Sequence, residues 1–514
     1  MGLAPFFEKA ALAGSHLLQN FESETFARIL LEHTVVVAFD EQAATSKEGR
    51  TTLDLTVNLL ARLYPSIALA PLGGSLDDEV ERLTELARSI NPHIDIAHEL
   101  NGSSALVVGT TAVDLTIPTF YMGSDSWVTG FSPDSPVGSG DSDNPFGACA
   151  AACFGAANIF RTAFAAQLPQ SPTDTSFQFS LLAPDDRVNL LNPAFEQVDL
   201  GATHLVGLGA IGNAAVWSLA RAPFVTGTLH LIDHEEVDLT NLQRYVLTSM
   251  GDIGQSKVLL AQNALVDGGI RAEPHAVTWG EYMAQRGDWQ LERVATALDT
   301  PEDRCLVQAA LPRWIANAWT QPEDLGVSRH TFAQGQACLM CLYLRDEVVP
   351  DLDDQIVSAL HLPDDHQTLM EVRMLLVNEQ PIGPEWVERI AQANGVSAER
   401  LHGFAELPMR SFYQRALCGG VMLSLGAQTD RMPRNTEVPM AFQSALAGIL
   451  LTAQLVAHAS SIETPHVVTT KINLLKPLGT YLSLPAPQHS SGRCICQDPD
   501  YVDVYRRKYG HPHN

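Results

Sequence analysis

The pattern of apolar and polar positions in the first part of the chain predicts an α/β fold. Continuous apolar runs indicate buried strands at His33–Asp40, Ser66–Leu72 and Ala105–Gly109. Apolar residues at helical spacing predict helices at Leu53–Leu63, Asp77–Ile90 and Gly147–Ala165. No glycine loop follows the first strand, where the sequence reads EQAATSKEGR. This half therefore has the alternating strands and helices of a nucleotide-binding fold but lacks the phosphate-binding loop.

A second α/β pattern begins near residue 194 and contains the most informative stretch of the chain, Thr203–Lys257. An apolar strand leads into the loop Gly207-x-Gly209-x-x-Gly212, a helix of small residues follows, and a second strand stops at Asp233. Such a loop lets phosphates approach the backbone at a helix N-terminus, where the partial positive charge favours anions. The glycines alone would suit a dinucleotide oxidoreductase equally well.

Polar residues after the second strand favour ATP as the nucleotide. Asn241, Gln243 and Arg244 come soon after Asp233, and Lys257 follows Gly-Gln-Ser. A nicotinamide site has no need of these cations and amides. The triphosphate of ATP does, because they stabilise its charge during transfer.

These motifs, together with Ala297-Leu-Asp-Thr-Pro-Glu-Asp-Arg304, resemble the ThiF/MoeB/ubiquitin-activating-enzyme superfamily. Its members use ATP to adenylate the C-terminal carboxylate of a ubiquitin-like protein. The resemblance covers about Thr203–Cys341 and Cys418–Ala457. The nucleotide-binding residues that it implies are Gly207, Gly209, Gly212, Asp233, Asn241, Gln243, Arg244, Lys257 and Asp299.

The resemblance also implies a role for each polar residue of that set. Asp233 is expected to bind the ribose hydroxyls, and Asp299 to hold a magnesium ion. Asn241, Arg244 and Lys257 are expected to bind phosphates. Arg244, Lys257 and Asp299 are also expected to act in catalysis, whereas Asp303 and Arg304 are expected to be structural.

The order of the two halves resembles that of two-part activating enzymes, in which an inactive adenylation domain precedes an active one. We therefore predict two Rossmann-like adenylation-type domains, the first degenerate and the second active. An unrelated α/β accessory domain is the alternative for the first half. The predicted segments are an inactive domain at 1–197, an active domain in two parts at 198–345 and 418–490, a helical insertion at 346–417, and a zinc-binding tail at 491–514.

Composition narrows the choice of partners. Lysine and arginine total 32 against 59 acidic residues, a formal net charge of −27. This charge argues against nucleic acid or an anionic membrane as a partner. It suits a partner with a basic face, although a general solubility effect explains it equally well. The N-terminus has no signal-peptide pattern, and the apolar run Ala441–Ala459 contains polar residues typical of a buried helix, so we expect a cytoplasmic protein.

Two cysteine pairs predict a structural zinc ion. Cys338-Leu-Met-Cys341 has the spacing of a zinc knuckle, and Cys494-Ile-Cys496 can supply two more thiolates. Members of the superfamily often carry a second C-x-x-C near the C-terminus, and the C-x-C found here leaves His489 open as a substitute ligand. The alternative is two unrelated pairs, one of them redox-active.

Cys418 is the predicted nucleophile. It precedes two glycines, and Arg410 and Arg415 are close enough in sequence to lower the pKa of its thiol. Its position before a proline-bearing loop and a small-residue helix resembles that of the nucleophile in autophagy-type activating enzymes. A cysteine packed beside a glycine turn is the alternative. We expect Cys149, Cys153 and Cys305 to be buried.

The function implied is activation of a ubiquitin-like protein with ATP and magnesium, formation of a thioester on Cys418, and transfer to a conjugating enzyme on another chain. The layout resembles bacterial (Bil-type) ubiquitin-like conjugation operons, some of which serve antiphage defence. A homodimer is left open, as is entry of Arg28 into the ATP site, since a solvated helix arginine explains that residue equally well. The alternatives are an adenylating enzyme for sulfur transfer or peptide modification, a non-catalytic scaffold, and a nicotinamide oxidoreductase.

Overall fold

The computed structural model describes residues 2–183, 190–322, 324–332, 334–344, 352–413, 415, 438–462, 468–478 and 482–510. Their contacts divide the chain into two compact units. The sheet unit comprises residues 1–5, 30–344 and 441–514, and the helical unit comprises residues 6–29 and 345–440. Two helices open the chain, α1 (Phe7–Ser15) and α2 (Ser23–Glu32).

The first sheet of the sheet unit has seven strands in the order β3-β2-β1-β4-β5-β6-β7. Strands β1 to β5 pair in parallel, and β6 and β7 extend the sheet antiparallel. The strands are β1 (Val35–Phe39), β2 (Ser66–Pro71), β3 (Asp95–Ala97), β4 (Ser104–Val108), β5 (Thr119–Asp125), β6 (Val128–Ser132) and β7 (Phe177–Ser180). The accompanying helices are α3 (Glu41–Thr45), α4 (Lys47–Ala61), α5 (Asp77–Ile90) and α6 (Phe146–Ala163).

The second sheet repeats this arrangement with one strand added, in the order β10-β9-β8-β11-β12-β13-β14-β15. Its first five strands are parallel and the rest antiparallel. The strands are β8 (Val198–Val206), β9 (Val225–Ile232), β10 (Ile270–His275), β11 (Arg293–Thr296), β12 (Trp314–Thr320), β13 (Leu325–Thr331), β14 (Thr469–Ile472) and β15 (Leu482–Leu484). Its helices are α7 (Ala210–Leu219), α8 (Lys257–Ala264), α9 (Trp279–Gln285) and α10 (Pro301–Ala309). The chain is therefore α/β and contains the same strand order twice.

The helical insertion builds a core of its own. Its helices are α11 (Leu352–Ala359), α12 (His366–Asn378), α13 (Gly383–Asn394), α14 (Ala398–Leu401) and α15 (Met409–Tyr413). Ile356, Val387, Ile390 and Phe412 are fully buried in that core. The chain turns at the start of α13, where Gly383 adopts a φ of +74° that disfavours other residues.

The long helix α16 (Ala441–Ala459) lies between the two halves of the sheet unit and contacts α6, α7 and β12. Gly448 allows the closest approach, because a Cβ there would lie 2.3 Å from the carbonyl oxygen of Ile211. The helix is long and apolar enough to cross a membrane, but 94% of it is buried within the protein. A helix that is apolar on all sides belongs in a core, so the predicted buried helix is confirmed.

The structure corrects some of the expected elements. The pattern of apolar positions did not predict β5, β6 or β7. The expected helix Leu53–Leu63 is part of α4, which begins at Lys47 because the Ser46 hydroxyl accepts the Gly49 N–H at 3.2 Å. Residues 6–29 group with the helical unit, although we expected residues 1–197 to form one domain. A boundary read from sequence order cannot detect a segment that joins a distant part of the chain.

Candidate active site and metal centre

The glycine loop connects β8 to α7 and leaves the N-terminus of that helix open. Gly207 has a φ of +89°, and a Cβ there would lie 2.8 Å from the carbonyl oxygen of Ala297. A Cβ on Gly212 would lie 2.0 Å from the carbonyl oxygen of Gly207. Gly209 is the N-cap of α7 and has no side chain with which to cap the first turn. Since the first N–H groups of a helix lack internal partners, this end can receive an anion.

Asp233 and Lys257 lie together beside this loop. Asp233 accepts hydrogen bonds from the backbone N–H groups of Leu208 (2.6 Å) and Glu235 (2.9 Å), one on each carboxylate oxygen. The Lys257 N–H donates to the Glu235 carbonyl at 3.1 Å, which brings α8 to the end of β9. The Lys257 Nζ contacts Glu235 Oε2 at 2.5 Å and the Tyr245 hydroxyl at 3.2 Å.

The charge of Lys257 is stabilised although its side chain is buried. Burial alone would lower the pKa of Lys257, but Tyr245, Asp233 and Glu235 together raise it above its usual value. Glu235 therefore neutralises the charge of Lys257 in this structure. Neither Glu235 nor Tyr245 was predicted; the acidic run His234-Glu-Glu-Val-Asp238 was the one signal available for Glu235.

Asn241, Gln243 and Arg244 lie on or beside the short 3₁₀ helix Leu239–Gln243. Asn241 Oδ1 accepts the Asp238 N–H at 3.0 Å and so fixes the start of this turn. Gln243 is buried, and Arg244 is half-buried with its guanidinium 5.7 Å from the centre of the Tyr245 ring. The Tyr245 hydroxyl lies 3.6 Å from the position of a Cβ on Gly209, so the segment that carries the predicted amides and cation passes beside the glycine loop.

Helix α4 of the first half holds that segment in place. Arg62 is fully buried and donates to the carbonyl oxygens of Leu242 and, at 2.7 Å, of Thr248. Asn58 donates to the Val246 carbonyl at 3.0 Å. Burial lowers the pKa of Arg62 to about 9, so it remains charged at neutral pH. Neither residue was predicted, because nothing in the local pattern links positions more than 180 residues apart.

Asp299 follows β11, the strand next to β8, and its side chain is exposed. Ala297 donates its N–H to the Val206 carbonyl at 2.9 Å, so Asp299 lies just beyond the end of the strand that carries the glycine loop. An exposed carboxylate there fits a magnesium ion, which binds through few protein ligands and keeps its waters. Asp303 and Arg304 have structural contacts. The Thr300 hydroxyl caps α10 by accepting the Asp303 N–H, and Arg304 Nε donates to Asn317 Oδ1 at 3.1 Å.

The corresponding position of the first sheet is closed. Asp40 follows β1 as the glycine loop follows β8, and its side chain caps α3 by accepting the Ala43 N–H at 3.0 Å. The other carboxylate oxygen accepts N–H and O–H groups of Thr110 and Thr111 at 2.8–3.2 Å. Burial favours protonation, but these hydrogen bonds outweigh it and lower the pKa of Asp40. The protein's own carboxylate occupies the site that a phosphate would need.

The two cysteine pairs meet in one buried cluster. Cys494 Sγ lies 3.4 Å from Cys338 Sγ and 3.3 Å from Cys341 Sγ, and Cys496 Sγ lies 3.4 Å from Cys341 Sγ. A tetrahedral zinc ion with bonds of about 2.3 Å separates its sulfur ligands by roughly 3.8 Å. The His489 backbone N–H points at Cys341 Sγ at 3.4 Å. The cluster can therefore bind zinc through four thiolates, with no need of the His489 ring.

The tail beyond the cluster is a helix, which we did not predict. Helix α17 (Pro499–Tyr509) begins with an Asp498 cap and ends at Gly510. The Tyr505 ring packs 5.1 Å from that of Phe332. The Lys508 Nζ donates to the Ala310 carbonyl at 2.7 Å. A metal at the cysteines would thus join the tail to the second sheet.

The remaining cysteines differ in accessibility. Cys418 lies outside the residues that the structure describes, so its role stays a prediction. Cys149 and Cys153 are fully buried on α6, and burial raises the pKa of Cys149 to about 12 and that of Cys153 well above its usual value. Cys305 is half-buried, and burial raises the pKa of its thiol as well. Arg28 is exposed on α2, and its entry into the ATP site stays a prediction.

Residues 194–490, more than half of the chain, match the ThiF family. The chain belongs to the ThiF family. Residues 38–165 match another family, described as Prokaryotic E2 family C. E2 is the usual term for a ubiquitin-conjugating enzyme, a kind of domain that the sequence analysis did not identify. Membership of the ThiF family supports adenylation chemistry for the second half.

Individual proteins are also similar to this chain. The uncharacterized protein y4jF of Sinorhizobium fredii (strain NBRC 101917 / NGR234) is 48% identical over 514 residues, 99% of this chain and 98% of that protein. Molybdopterin-synthase adenylyltransferase of Escherichia coli (strain K12) is 45% identical over 71 residues, 14% of this chain and 26% of that protein. A crystal structure of E. coli MccB with MccA-N7isoASN covers 57% of this chain and 66% of its own, with 16% identity and a TM-score of 0.35.

We predict about one zinc ion per chain of this ThiF-family protein, bound by the four cysteines. Changing Cys338 and Cys341 together to serine should remove the zinc and lower the melting temperature, because metal binding adds to the folding free energy. Elemental analysis and a thermal melt measure the two effects. Cys305→Ser, at a half-buried cysteine outside the cluster, is the control and should keep the metal. A zinc-free wild-type protein with the melting temperature of the double variant would contradict the prediction.

Proposed function

We propose that this chain activates a ubiquitin-like protein with ATP. The observation that supports the adenylation step most directly is the group of Asp233, Lys257 and the uncapped N-terminus of α7 around one glycine loop. These groups offer a carboxylate for the ribose and positive charge for the phosphates beside one glycine loop. Membership of the ThiF family supports the same chemistry.

The first step joins the partner's C-terminal carboxylate to AMP. A carboxylate oxygen attacks the α-phosphorus of ATP, the bond to the β-phosphate oxygen breaks, and pyrophosphate leaves with that electron pair. Lys257 has to exchange Glu235 for a phosphate oxygen on binding, and Arg244 adds a second cation. Asp299 is the residue that would hold magnesium, whose charge offsets that of the phosphates. Because charge develops on the leaving group, fixed cations lower the barrier.

The second step moves the acyl group to a thiol. The thiolate attacks the acyl carbon, a thioester forms, and AMP leaves. Cys149 and Cys153 are unsuited to this step because they are fully buried and their pKa values are raised. The cluster cysteines are expected to bind zinc, and Cys305 is half-buried with a raised pKa. This reasoning supports Cys418 as the nucleophile, since a thiolate fraction and access to the adenylate are both required.

We further propose that the first half is an inactive adenylation-type domain that supports the second. Its strand order repeats that of the second sheet, and Asp40 fills its phosphate position. The match of residues 38–165 to a prokaryotic E2 family raises another possibility, thioester transfer within the chain. The burial of Cys149 and Cys153, its cysteines, favours a separate conjugating enzyme as the acceptor. We expect the whole reaction to take place in the cytoplasm.

Sulfur transfer or peptide modification is the main alternative, and it would need adenylation but no thioester. The similarity to molybdopterin-synthase adenylyltransferase over 71 residues favours considering it. The two functions differ in whether a covalent adduct forms between this chain and its partner. The experiments below are chosen to separate them.

Adenylation should depend on Asp299. With a small ubiquitin-like protein encoded near this gene as the partner, Asp299→Ala should reduce ATP–pyrophosphate exchange to about one per cent or less, because a lost magnesium ligand costs several kcal/mol. Glu302→Ala is the matched control, an exposed carboxylate three residues later in the first turn of α10, and should keep exchange near the wild-type rate. Wild-type exchange in Asp299→Ala would mean that the metal assignment is wrong.

The thioester should depend on Cys418. Wild-type protein, ATP and the partner should give an adduct on a non-reducing gel that a thiol reductant removes. Cys418→Ala should abolish the adduct and leave pyrophosphate exchange largely intact, because adenylation precedes thiol attack and uses other residues.

Cys149→Ala and Cys305→Ala are the controls and should form the adduct as the wild type does. An adduct that persists in Cys418→Ala would identify another cysteine as the nucleophile. Exchange without an adduct in the wild type, with every partner tested, would favour sulfur transfer or peptide modification instead.

A further inference from the structure

Adjacent strands of the second sheet carry a group of histidines that the adenylation site does not use. His204 lies on β8, His230 on β9, and Glu273 and His275 on β10. His230 is the register partner of both His204 and Glu273. Because register partners lie side by side, the side chains meet across three neighbouring strands.

The ligand atoms of three of these residues have the spacing of a metal site. His230 Nδ1 lies 3.2 Å from His275 Nε2 and 3.3 Å from Glu273 Oε2, and all three atoms lie within 4.8 Å of one another. A tetrahedral ion with bonds of about 2.0–2.1 Å separates its ligand atoms by about 3.3 Å. Two of the three separations therefore match an edge of such a tetrahedron.

Neighbouring groups hold these ligands in position. Arg271 Nη2 contacts the other carboxylate oxygen of Glu273 at 2.9 Å, which leaves Oε2 directed at His230. The His230 ring stacks on that of His204 at 4.7 Å, and the Tyr282 ring lies 4.7 Å from that of His275. Such supporting contacts orient the ligands of known metal sites.

The nearby cation, Arg286, already forms hydrogen bonds with other groups. Arg286 Nη1 donates to His204 Nε2 and to the Tyr282 hydroxyl, both at 2.7 Å. Its charge is therefore bound to groups other than the three ligand atoms, and Glu273 supplies a negative charge where an ion would lie.

We propose that His230, Glu273 and His275 bind a divalent transition ion of the zinc class, with water completing the coordination. Two imidazoles and a carboxylate suit zinc, nickel, copper or cobalt(II) rather than magnesium or calcium. β10 is an edge strand, and ligands from β9 and β10 would join it to its neighbour. The His275 carbonyl accepts the Asp233 N–H at 3.3 Å, so the same ion would fix the strand end beside the nucleotide site.

Cobalt(II) distinguishes this site from the cysteine cluster, because only thiolate ligands give strong near-ultraviolet charge-transfer absorption. Metal-free, reduced protein titrated with cobalt should bind about one equivalent with that absorption and about one more with weak visible bands alone. His230→Asn with His275→Asn should lose the second equivalent and keep the first. Cys338→Ser with Cys341→Ser should lose the thiolate absorption and keep the weak bands.

Glu273→Gln retains both imidazoles and should weaken binding of the second equivalent by about tenfold or more. This variant tests the site even if the double histidine variant does not fold, which loss of its thiolate absorption would reveal. His98→Asn changes an exposed histidine that is distant from these residues in sequence. It is the control and should bind cobalt as the wild type does. A wild-type protein that binds no cobalt beyond the thiolate equivalent would overturn the proposal, as would equal binding of the second equivalent by Glu273→Gln and the wild type.

Discussion

The first N–H groups of a helix need a hydrogen-bond acceptor. The two halves of this protein differ in the acceptor that follows β1 in the first sheet and β8 in the second. In the first sheet the Asp40 carboxylate accepts from α3 and from the Thr110–Thr111 turn. In the second sheet, glycines leave the start of α7 uncapped. Asp233 lies beside the glycine loop and does not cap the helix. The same strand order thus gives a closed position after β1 and an open position after β8.

The open position also depends on the closed half. Arg62 and Asn58 of α4 bind the carbonyl oxygens of Leu242, Val246 and Thr248, which frame Arg244. Removing the buried Arg62 guanidinium would leave two backbone acceptors without this donor, a cost of about 1–3 kcal/mol each. Helix α16 adds an apolar contact with both α6 and α7. The first half can in this way maintain the geometry around the glycine loop of the second.

Sequence reasoning predicted what local patterns encode. The α/β fold and strands β1, β2 and β4 followed from periodicity, and the meeting of the four cysteines from motif spacing. The family followed from the resemblance of the motifs to a known superfamily. β5 to β7 were missed because short, glycine- and serine-containing strands gain their stability from neighbouring strands rather than from their own composition. The clamp of Arg62 on the Leu242–Thr248 segment depends on packing between parts of the chain far apart in sequence. The histidine group depends on the register between strands. One sequence reveals neither. The role of Cys418 stays a prediction.

The central claim is that each chain has one ATP site and that it belongs to the second half. Calorimetric titration of the metal-loaded protein with ATP and magnesium measures the stoichiometry without a protein partner. We expect about one ATP per chain, and no measurable binding after Asp233→Ala, since that side chain faces both the glycine loop and Lys257. Binding of two ATP molecules per chain, or of one that survives Asp233→Ala, would contradict the account.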